Sequence, residues 1–144
     1  MSNTNGTNTT PVTAFDALVN SAIDIRDALN GAVQQLNLAI EYEAAKRRTA
    51  KELCAAYDEA EAEFVAETLP TCDAKNAEGR KAQLDAALVA ARRDGALSRS
   101  WAQANAATYD AEDAKVSLEQ CSKTYRATEA AAELTAAMLR AAAR

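Results

Sequence analysis

The sequence predicts an all-α protein: an extended antiparallel helical hairpin, or coiled coil, of two long helices and one shorter helix. Hydrophobic residues make up 49% of the 144 residues, but many are Ala, which favours helix because it loses no side-chain entropy on folding. Only four Gly and two Pro interrupt the chain. With two Phe and one Trp, few side chains are large enough to fill a wide core, so we expect helices packed along narrow seams.

The chain begins with a stretch rich in Asn and Thr that cannot bury enough apolar surface to offset its ordering entropy. We therefore predict a disordered polar tail over residues 1–12 and a single helical hairpin domain over residues 13–144. Thr13 is placed to cap the first helix, and Asp16 supplies the acid of a capping box.

The first helix is predicted from about residue 14 to 68, because apolar residues recur at steps of three and four. The stripe moves from Leu36 to Leu38 and continues with a mean step of about 3.7, which favours a nearly straight helix over a tightly wound coil. Asn30-Gly31 is a turn signal, but the stripe keeps its phase across it. This favours a continuous or kinked helix over a helical hairpin there. The stripe consists of Phe15, Leu18, Ala22, Ile25, Leu29, Ala32, Leu36, Leu38, Tyr42, Ala45, Thr49, Leu53, Ala56, Ala60 and Phe64.

Pro70 ends this helix, since proline disfavours helical geometry in the preceding residue and has no amide donor. Either Asp73 or Asn76 can cap the next helix, predicted over residues 76–93. Gly95 is expected to stop it in the left-handed cap conformation.

The last helix is predicted over residues 96–143, with a seam rich in Ala and Thr and a phase slip between Ala111 and Ala114. A seam this thin predicts self-association into a homo-oligomer. The predicted seam is Leu97, Trp101, Ala104, Thr108, Ala111, Ala114, Leu118, Cys121, Tyr125, Thr128, Ala132, Thr135, Met138 and Ala142. The candidate oligomer-interface residues are Leu97, Trp101, Leu118, Tyr125 and Met138.

The net charge of −5 gives no overall attraction for nucleic acid. Residues 75–99 nevertheless carry six basic and three acidic residues, a local basic island in an acidic chain. With no His and three widely spaced Cys, we expect no metal site, cofactor or disulfide framework. The sequence shows no signal peptide and no membrane-spanning run, so a cytoplasmic location is expected.

The segment Lys75-Asn76-Ala77-Glu78-Gly79-Arg80-Lys81-Ala82 resembles a Lys-Asn-Ala-Glu-Glu-Arg-Lys-Ala signature of small Ala-rich helical proteins from tailed phages of actinobacteria. This chain departs from the signature at Gly79, where the family has an acid. The resemblance implies a phage origin, host cytoplasm as the location, and an association with DNA recombination or replication.

Three interpretations of the basic island stay open. Its residues are solvated around a helix cap, or they bind an anion such as a phosphate backbone, or they meet an acidic partner protein. The candidate nucleic-acid or anion-binding residues are Lys75, Arg80, Lys81, Arg92, Arg93 and Arg99.

We identify no catalytic residue, because the chain has no His, no Gly-rich phosphate loop and no strand to support one. The leading hypothesis is a non-enzymatic phage accessory or adaptor that binds partner proteins or single-stranded DNA. The alternative is a structural or scaffolding coiled-coil oligomer without a nucleic-acid role. A third hypothesis rests on Tyr residues four positions before an acid, a spacing similar to that of small substrates of mycobacterial type VII secretion.

Overall fold

The computed structural model describes residues 13–144, and the tail predicted over residues 1–12 lies outside the described residues. The described chain consists of α1 (Ala14–Thr68), a 3₁₀ turn (Leu69–Thr71), α2 (Ala77–Asp94) and α3 (Ser98–Ala142), and this part contains no strand. The long helices α1 and α3 pack closely as a helical hairpin. The all-α prediction is confirmed, and each helix boundary falls within about two residues of its predicted position.

The start of α1 is fixed by the predicted capping box. The Asp16 amide donates to Thr13 Oγ1 at 3.1 Å, and the Thr13 amide donates to Asp16 Oδ2 at 3.2 Å. These bonds satisfy amides that the first turn leaves without helical partners. The hydrogen bonds from the Thr13 side chain and then its backbone lower the pKa of the Asp16 carboxyl.

The turn between α1 and α2 is built from two capping arrangements. Pro70 lies in the 3₁₀ turn, and Thr71 Oγ1 donates to the Thr68 carbonyl at 2.7 Å. Asn76, one of the two predicted caps, accepts from the Gly79 amide at 2.7 Å. Asp73 takes another role, because its Oδ1 accepts from Gln83 Nε2 at 2.8 Å. The hydrogen bonds accepted by Asn76 and Asp73 therefore fix the loop between the 3₁₀ turn and α2 against the start of α2.

Gly95 ends α2 in a different way from the one predicted. Its φ of −108° and ψ of −154° are extended, so the expected left-handed cap is wrong. Glycine fits here because the backbone of Ala91 lies close by: a Cβ on Gly95 would be 2.8 Å from the Ala91 Cα. The Ala91 carbonyl accepts from both the Gly95 and the Leu97 amide at 3.1 Å, which closes the turn.

Packing contacts divide the chain into two compact units. The first, which we call the sleeve, has residues 13–37 and 120–144 as its described part. In the sleeve, α1 runs antiparallel to α3, and residues 22–29 line one cleft with 132–139. Gly31 lies within the unbroken α1, as the preferred interpretation predicted.

The second unit, which we call the head, is Leu38–Glu119. Its α1 residues meet α2 and α3 in antiparallel order: Glu61 contacts Arg92, Cys54 contacts Thr108, and Lys46 contacts Asp110. The break at Gly95 is thus no reversal, because α2 and α3 pass α1 in the same direction.

The packed face of α1 contains nine of the predicted stripe residues, and the exposed exceptions are Phe15, Leu38, Tyr42, Ala45, Thr49 and Ala56. Leu38 and Tyr42, placed on the stripe by the two-residue step, are 60% and 53% exposed. The less exposed series instead alternates steps of four and three without interruption, the heptad spacing of left-handed coiled coils. It comprises Leu18, Ala22, Ile25, Leu29, Ala32, Leu36, Ala39, Glu43, Lys46, Ala50, Leu53, Tyr57, Ala60 and Phe64.

The seam of α3 is also a regular heptad series, and the predicted phase slip is wrong. Ser100, Ala107 and Leu139 occupy the positions assigned to Trp101, Thr108 and Met138. The series comprises Leu97, Ser100, Ala104, Ala107, Ala111, Ala114, Leu118, Cys121, Tyr125, Thr128, Ala132, Thr135 and Leu139.

Candidate functional site

The basic residues at the turn are presented around the cap of α2. Lys75, Arg80 and Lys81 are exposed, and within residues 13–144 we find none of them in an ion pair. Gly79 permits this geometry, since a Cβ there would lie 2.8 Å from both the Ala74 Cβ and the Asn76 cap oxygen. A larger side chain at this position would not fit without moving the loop.

Arg92 is half-buried and tied to α1 by hydrogen bonds. Its Nε donates to the Tyr57 hydroxyl at 2.7 Å, and its Nη2 donates to Glu61 Oε1 and Oε2 at 3.0 and 2.9 Å. Tyr57 also donates to Glu61, and the guanidinium lies 5.9 Å from the Tyr57 ring centre. These contacts occupy the Nε and Nη2 donors of Arg92, so a bound anion would share the guanidinium with Tyr57 and Glu61.

The electrostatics of this cluster follow from its hydrogen bonds. The bond from Tyr57, and then that from Arg92, lowers the pKa of the Glu61 carboxyl. Burial raises the pKa of the Tyr57 hydroxyl, and the bond to Glu61 adds to this. The bond to Glu61 also raises the pKa of Arg92. The cluster therefore favours the ionised pair, which is a structural link between α1 and α2.

The other two candidate cations are on the surface. Arg93 Nε lies 2.5 Å from Asp94 Oδ2, and both side chains are more than two-thirds exposed. Arg99 is exposed on the first turn of α3. The structure thus leaves Lys75, Arg80, Lys81 and Arg99 as the candidates whose side chains are most available to an anion.

The candidate interface residues divide into two groups. Leu97 is buried at 2% exposure within the chain itself, and Leu118 and Tyr125 are half-buried on the α3 seam. Trp101 and Met138 are 42% and 50% exposed. Of the five, Trp101 and Met138 therefore offer the largest share of their surface to another molecule.

A contact between Lys46 and Asp110 in the head was not predicted from the sequence, whereas the nearby Glu43–Arg47 pair follows from its four-residue spacing. Lys46 Nζ donates to Asp110 Oδ2 at 2.8 Å and lies 5.5 Å from the Tyr42 ring centre. The bond to Asp110 raises the pKa of Lys46. Glu43, only 15% exposed at its side chain, pairs with Arg47 at 3.7 Å. Had the heptad been continued strictly from Leu18, it would have placed residues 43 and 46 on the seam.

Many large apolar side chains are exposed on the helix surfaces instead of lying in the core. Among the buried hydrophobic residues of the described chain, Leu97 is the one large side chain. The remaining four, Ala91, Ala104, Ala107 and Ala114, are all alanines. The exposed large hydrophobic residues are Phe15, Ile23, Val33, Leu38, Ile40, Tyr42, Leu69, Val89, Trp101, Tyr109, Val116, Leu134 and Met138.

Two Tyr residues form hydrogen bonds with the acidic residue four positions later in the same helix. Tyr125 donates to Glu129 Oε1 at 2.9 Å, in the same way as Tyr57 donates to Glu61. The type VII secretion hypothesis rests on three pairs: Tyr57/Glu61, Tyr109/Asp113 and Tyr125/Glu129. Local helix contacts account for the first and the last of them.

The described residues contain no cluster of three or more His, Cys, Asp or Glu placed to hold a metal ion. Cys54, Cys72 and Cys121 are half-buried free thiols. None of the three helices described is both long and apolar enough to cross a membrane. No family model matches this chain, and neither the curated proteins nor the solved structures give a significant match to it.

Proposed function

We propose that this protein is a non-enzymatic helical accessory or adaptor that acts through the outer faces of its helices. The main supporting observation is the distribution of apolar side chains: Leu97 is buried, whereas Leu38, Val89 and Tyr109 are each at least 60% exposed. Exposed large apolar side chains are typical of surfaces that bind other helices or proteins where they lie together on one helix face. Association is therefore the activity that this surface supports.

The more specific proposal is a phage-encoded protein, located in the host cytoplasm, that assists DNA recombination or replication. Its support is the Lys75–Ala82 signature and the exposed cations Lys75, Arg80 and Lys81 beside the α2 cap. Such residues can bind the phosphates of single-stranded DNA without catalytic chemistry. A partner protein with an acidic surface would use the same side chains.

The DNA form of the proposal is tested by titrating a fluorescent single-stranded oligonucleotide at low and moderate salt. We expect affinity to fall with salt, because binding releases counterions. Replacing Arg80 and Lys81 by Ala should weaken binding and flatten the salt slope by about one to two units. The matched control replaces Lys123 and Arg126, an equally basic exposed pair on α3.

The outcome separates the two forms of the accessory hypothesis. No binding at low salt would overturn a direct role on DNA and leave the protein adaptor, which capture of recombination or replication proteins from infected cells then tests. Equal losses in the control pair would indicate nonspecific attraction rather than a site at the turn.

The second candidate is a structural coiled-coil oligomer, favoured by the uninterrupted heptad series on α1 and α3. It predicts a defined oligomer that binds neither DNA nor another protein. Light scattering provides the mass, and the oligonucleotide titration distinguishes this candidate from the accessory.

A further inference from the structure

One segment of α1 has its polar and apolar residues in unexpected places. Between residues 38 and 49 the seam holds Glu43 and Lys46, which are half-buried, while Leu38 and Tyr42 are more than half exposed beside it. An amphipathic helix with one apolar partner would have the opposite arrangement. Lys46 contacts Asp110 on α3, whereas Leu38 and Tyr42 keep more than half of their surface exposed to solvent.

Leu38, Tyr42, Ala45 and Thr49 form an exposed stripe, which we call the outer stripe, at steps of four, three and four. Beside it lies a cleft of about 200 Å³ lined by Tyr42, Ala45, Lys46, Thr49, Ala107 and Asp110. All of these residues belong to the head. The outer stripe thus combines two large side chains, two small ones and an adjacent recess.

We propose that a second copy of this chain docks on the outer stripe, with the two α1 helices antiparallel about a two-fold axis near residues 43 and 44. This inference rests on the proposed function, because it identifies one of the outer faces through which the chain associates. In a two-fold contact the same patch is used by both copies and must complement itself.

The size order along the outer stripe supplies that self-complementarity. The large residues come first and the small ones last, so an antiparallel pair sets Leu38 against Thr49 of the other copy and Tyr42 against Ala45. Each large side chain then meets a small one, and each Tyr42 ring enters the cleft beside the opposing Ala45. A parallel pair would set large against large and leave a gap between the small residues.

The charges beside the outer stripe point to the same pairing. Glu41 and Arg48 are exposed on α1, and no ion pair within residues 13–144 involves either of them. They are seven residues apart, about 10 Å along the helix, which is too far to pair within one chain. The two-fold axis brings each Glu41 near Arg48 of the other copy, and it forms this opposite-charge pair twice.

The extent of the outer stripe predicts a weak dimer. Four side chains per copy bury less surface than the interfaces of obligate dimers, so we expect a dissociation constant of about micromolar or above. Sedimentation equilibrium from about 1 µM to about 1 mM covers this range. A monomer mass across the whole range would overturn the inference.

The first variant is Leu38→Glu, which places a charge against Thr49 of the other copy. Glu is a good helix former and Leu38 is 60% exposed, so the helix content should not change. We expect the dimer to weaken by at least about tenfold, because two buried Leu side chains are lost per dimer. The matched control is Leu134→Glu, at 63% exposure on α3, which should leave the dimer unchanged.

The second test is a charge exchange, which reports the orientation. Glu41→Arg and Arg48→Glu should each weaken the dimer, because both ion pairs become like-charge contacts. The double variant should restore it, and a mixture of the two single variants should form a heterodimer in preference to either homodimer. A dimer that is insensitive to Leu38→Glu and shows no preference in the mixture would overturn the inference.

These results are distinguishable from those on the proposed function. A monomer that binds single-stranded DNA through Arg80 and Lys81 would overturn the outer-stripe dimer alone. A dimer that depends on Leu38 but binds neither DNA nor a protein partner would overturn the accessory function alone.

Discussion

The sleeve and the head hold α1 against the other helices through different kinds of contact. In the sleeve, α1 and α3 meet through residues such as Ile25, Leu29 and Leu139, and its described part shows no hydrogen bond between the two helices. In the head, α1 is tied to the returning helices by Lys46–Asp110 and by Arg92 on Tyr57 and Glu61. Small apolar seams tolerate sliding, whereas directional polar contacts fix one register.

The two units also use glycine differently. Gly31, in the sleeve, has open space where a Cβ would be, with nothing within 4 Å. In the head, a Cβ on Gly79 or Gly95 would lie 2.8 Å from neighbouring atoms. The head therefore depends on close approaches that the sleeve does not need, and we expect substitutions in the head to have the larger effects.

The largest effect is expected for Leu97→Ala in the head. Leu97 is 2% exposed where α2 meets α3, so the substitution leaves a cavity and should lower the free energy of unfolding by about 2–4 kcal/mol. Guanidinium unfolding followed by the helix signal, at fixed protein concentration, measures this. Leu134→Ala, at 63% exposure in the sleeve, is the control and should change stability by less than about 0.5 kcal/mol.

Gly95→Ala comes next, because its new methyl group would lie against backbone. The nearest atom is the Ala91 Cα at 2.8 Å, and the Ala91 carbonyl oxygen is at 3.3 Å. Since backbone cannot rotate away as a side chain can, we expect a loss of about 1–3 kcal/mol in the same unfolding experiment. A stability equal to that of the parent chain would show that the turn relaxes freely.

Arg92→Ala tests the polar link of the head. The pair with Glu61 is about one-third exposed, so solvent screening limits the expected loss to about 1–2 kcal/mol near neutral pH. Arg93→Ala is the control, because the neighbouring Arg93 contacts only Asp94 and is 78% exposed. Equal losses in the two variants would contradict a special role for the link.

The same variant has a defined pH dependence. The pKa of Glu61 is lowered on folding from its ordinary 4.5, so its contribution is present above that value. It is lost as the pH falls through the lower folded value. The parent chain should therefore lose stability on acidification, and Arg92→Ala should lose less of it. Because the Tyr57 hydrogen bond is the larger cause of the shift, part of the dependence should persist in the variant.

Comparing the two units also shows what the sequence could predict. In the sleeve the predicted stripe from Leu18 to Leu36 is the packed face, because large apolar residues there coincide with the heptad. In the head the predicted Leu38 and Tyr42 leave the heptad while Glu43 and Lys46 stay on it. A hydrophobicity stripe follows side-chain chemistry, whereas packing follows helix geometry, so the prediction is wrong between residues 38 and 49 and agrees with the packed face again at Leu53.

At the turn and the candidate site, too, the features set by neighbouring residues were predicted and those set by distant residues were not. Asn76 and the end of α1 near Pro70 follow from local rules and were predicted. The hydrogen bonds of Arg92 join it to Tyr57 and Glu61, which are more than thirty positions away in the sequence. A composition count placed Arg92 with the surface cations, since nothing in its neighbours along the chain indicates a partner on α1.

The smallest effect, and one of opposite sign, is expected for Gly31→Ala in the sleeve. Gly31 is inside α1, where Ala is preferred by about 0.5–1 kcal/mol, and its added methyl group meets no atom within 4 Å. We expect the free energy of unfolding to rise by about that amount, against the loss expected from the same change at Gly95. A loss at Gly31 would show that the sleeve needs close approach at this point of α1, and the contrast between the two units would then fail.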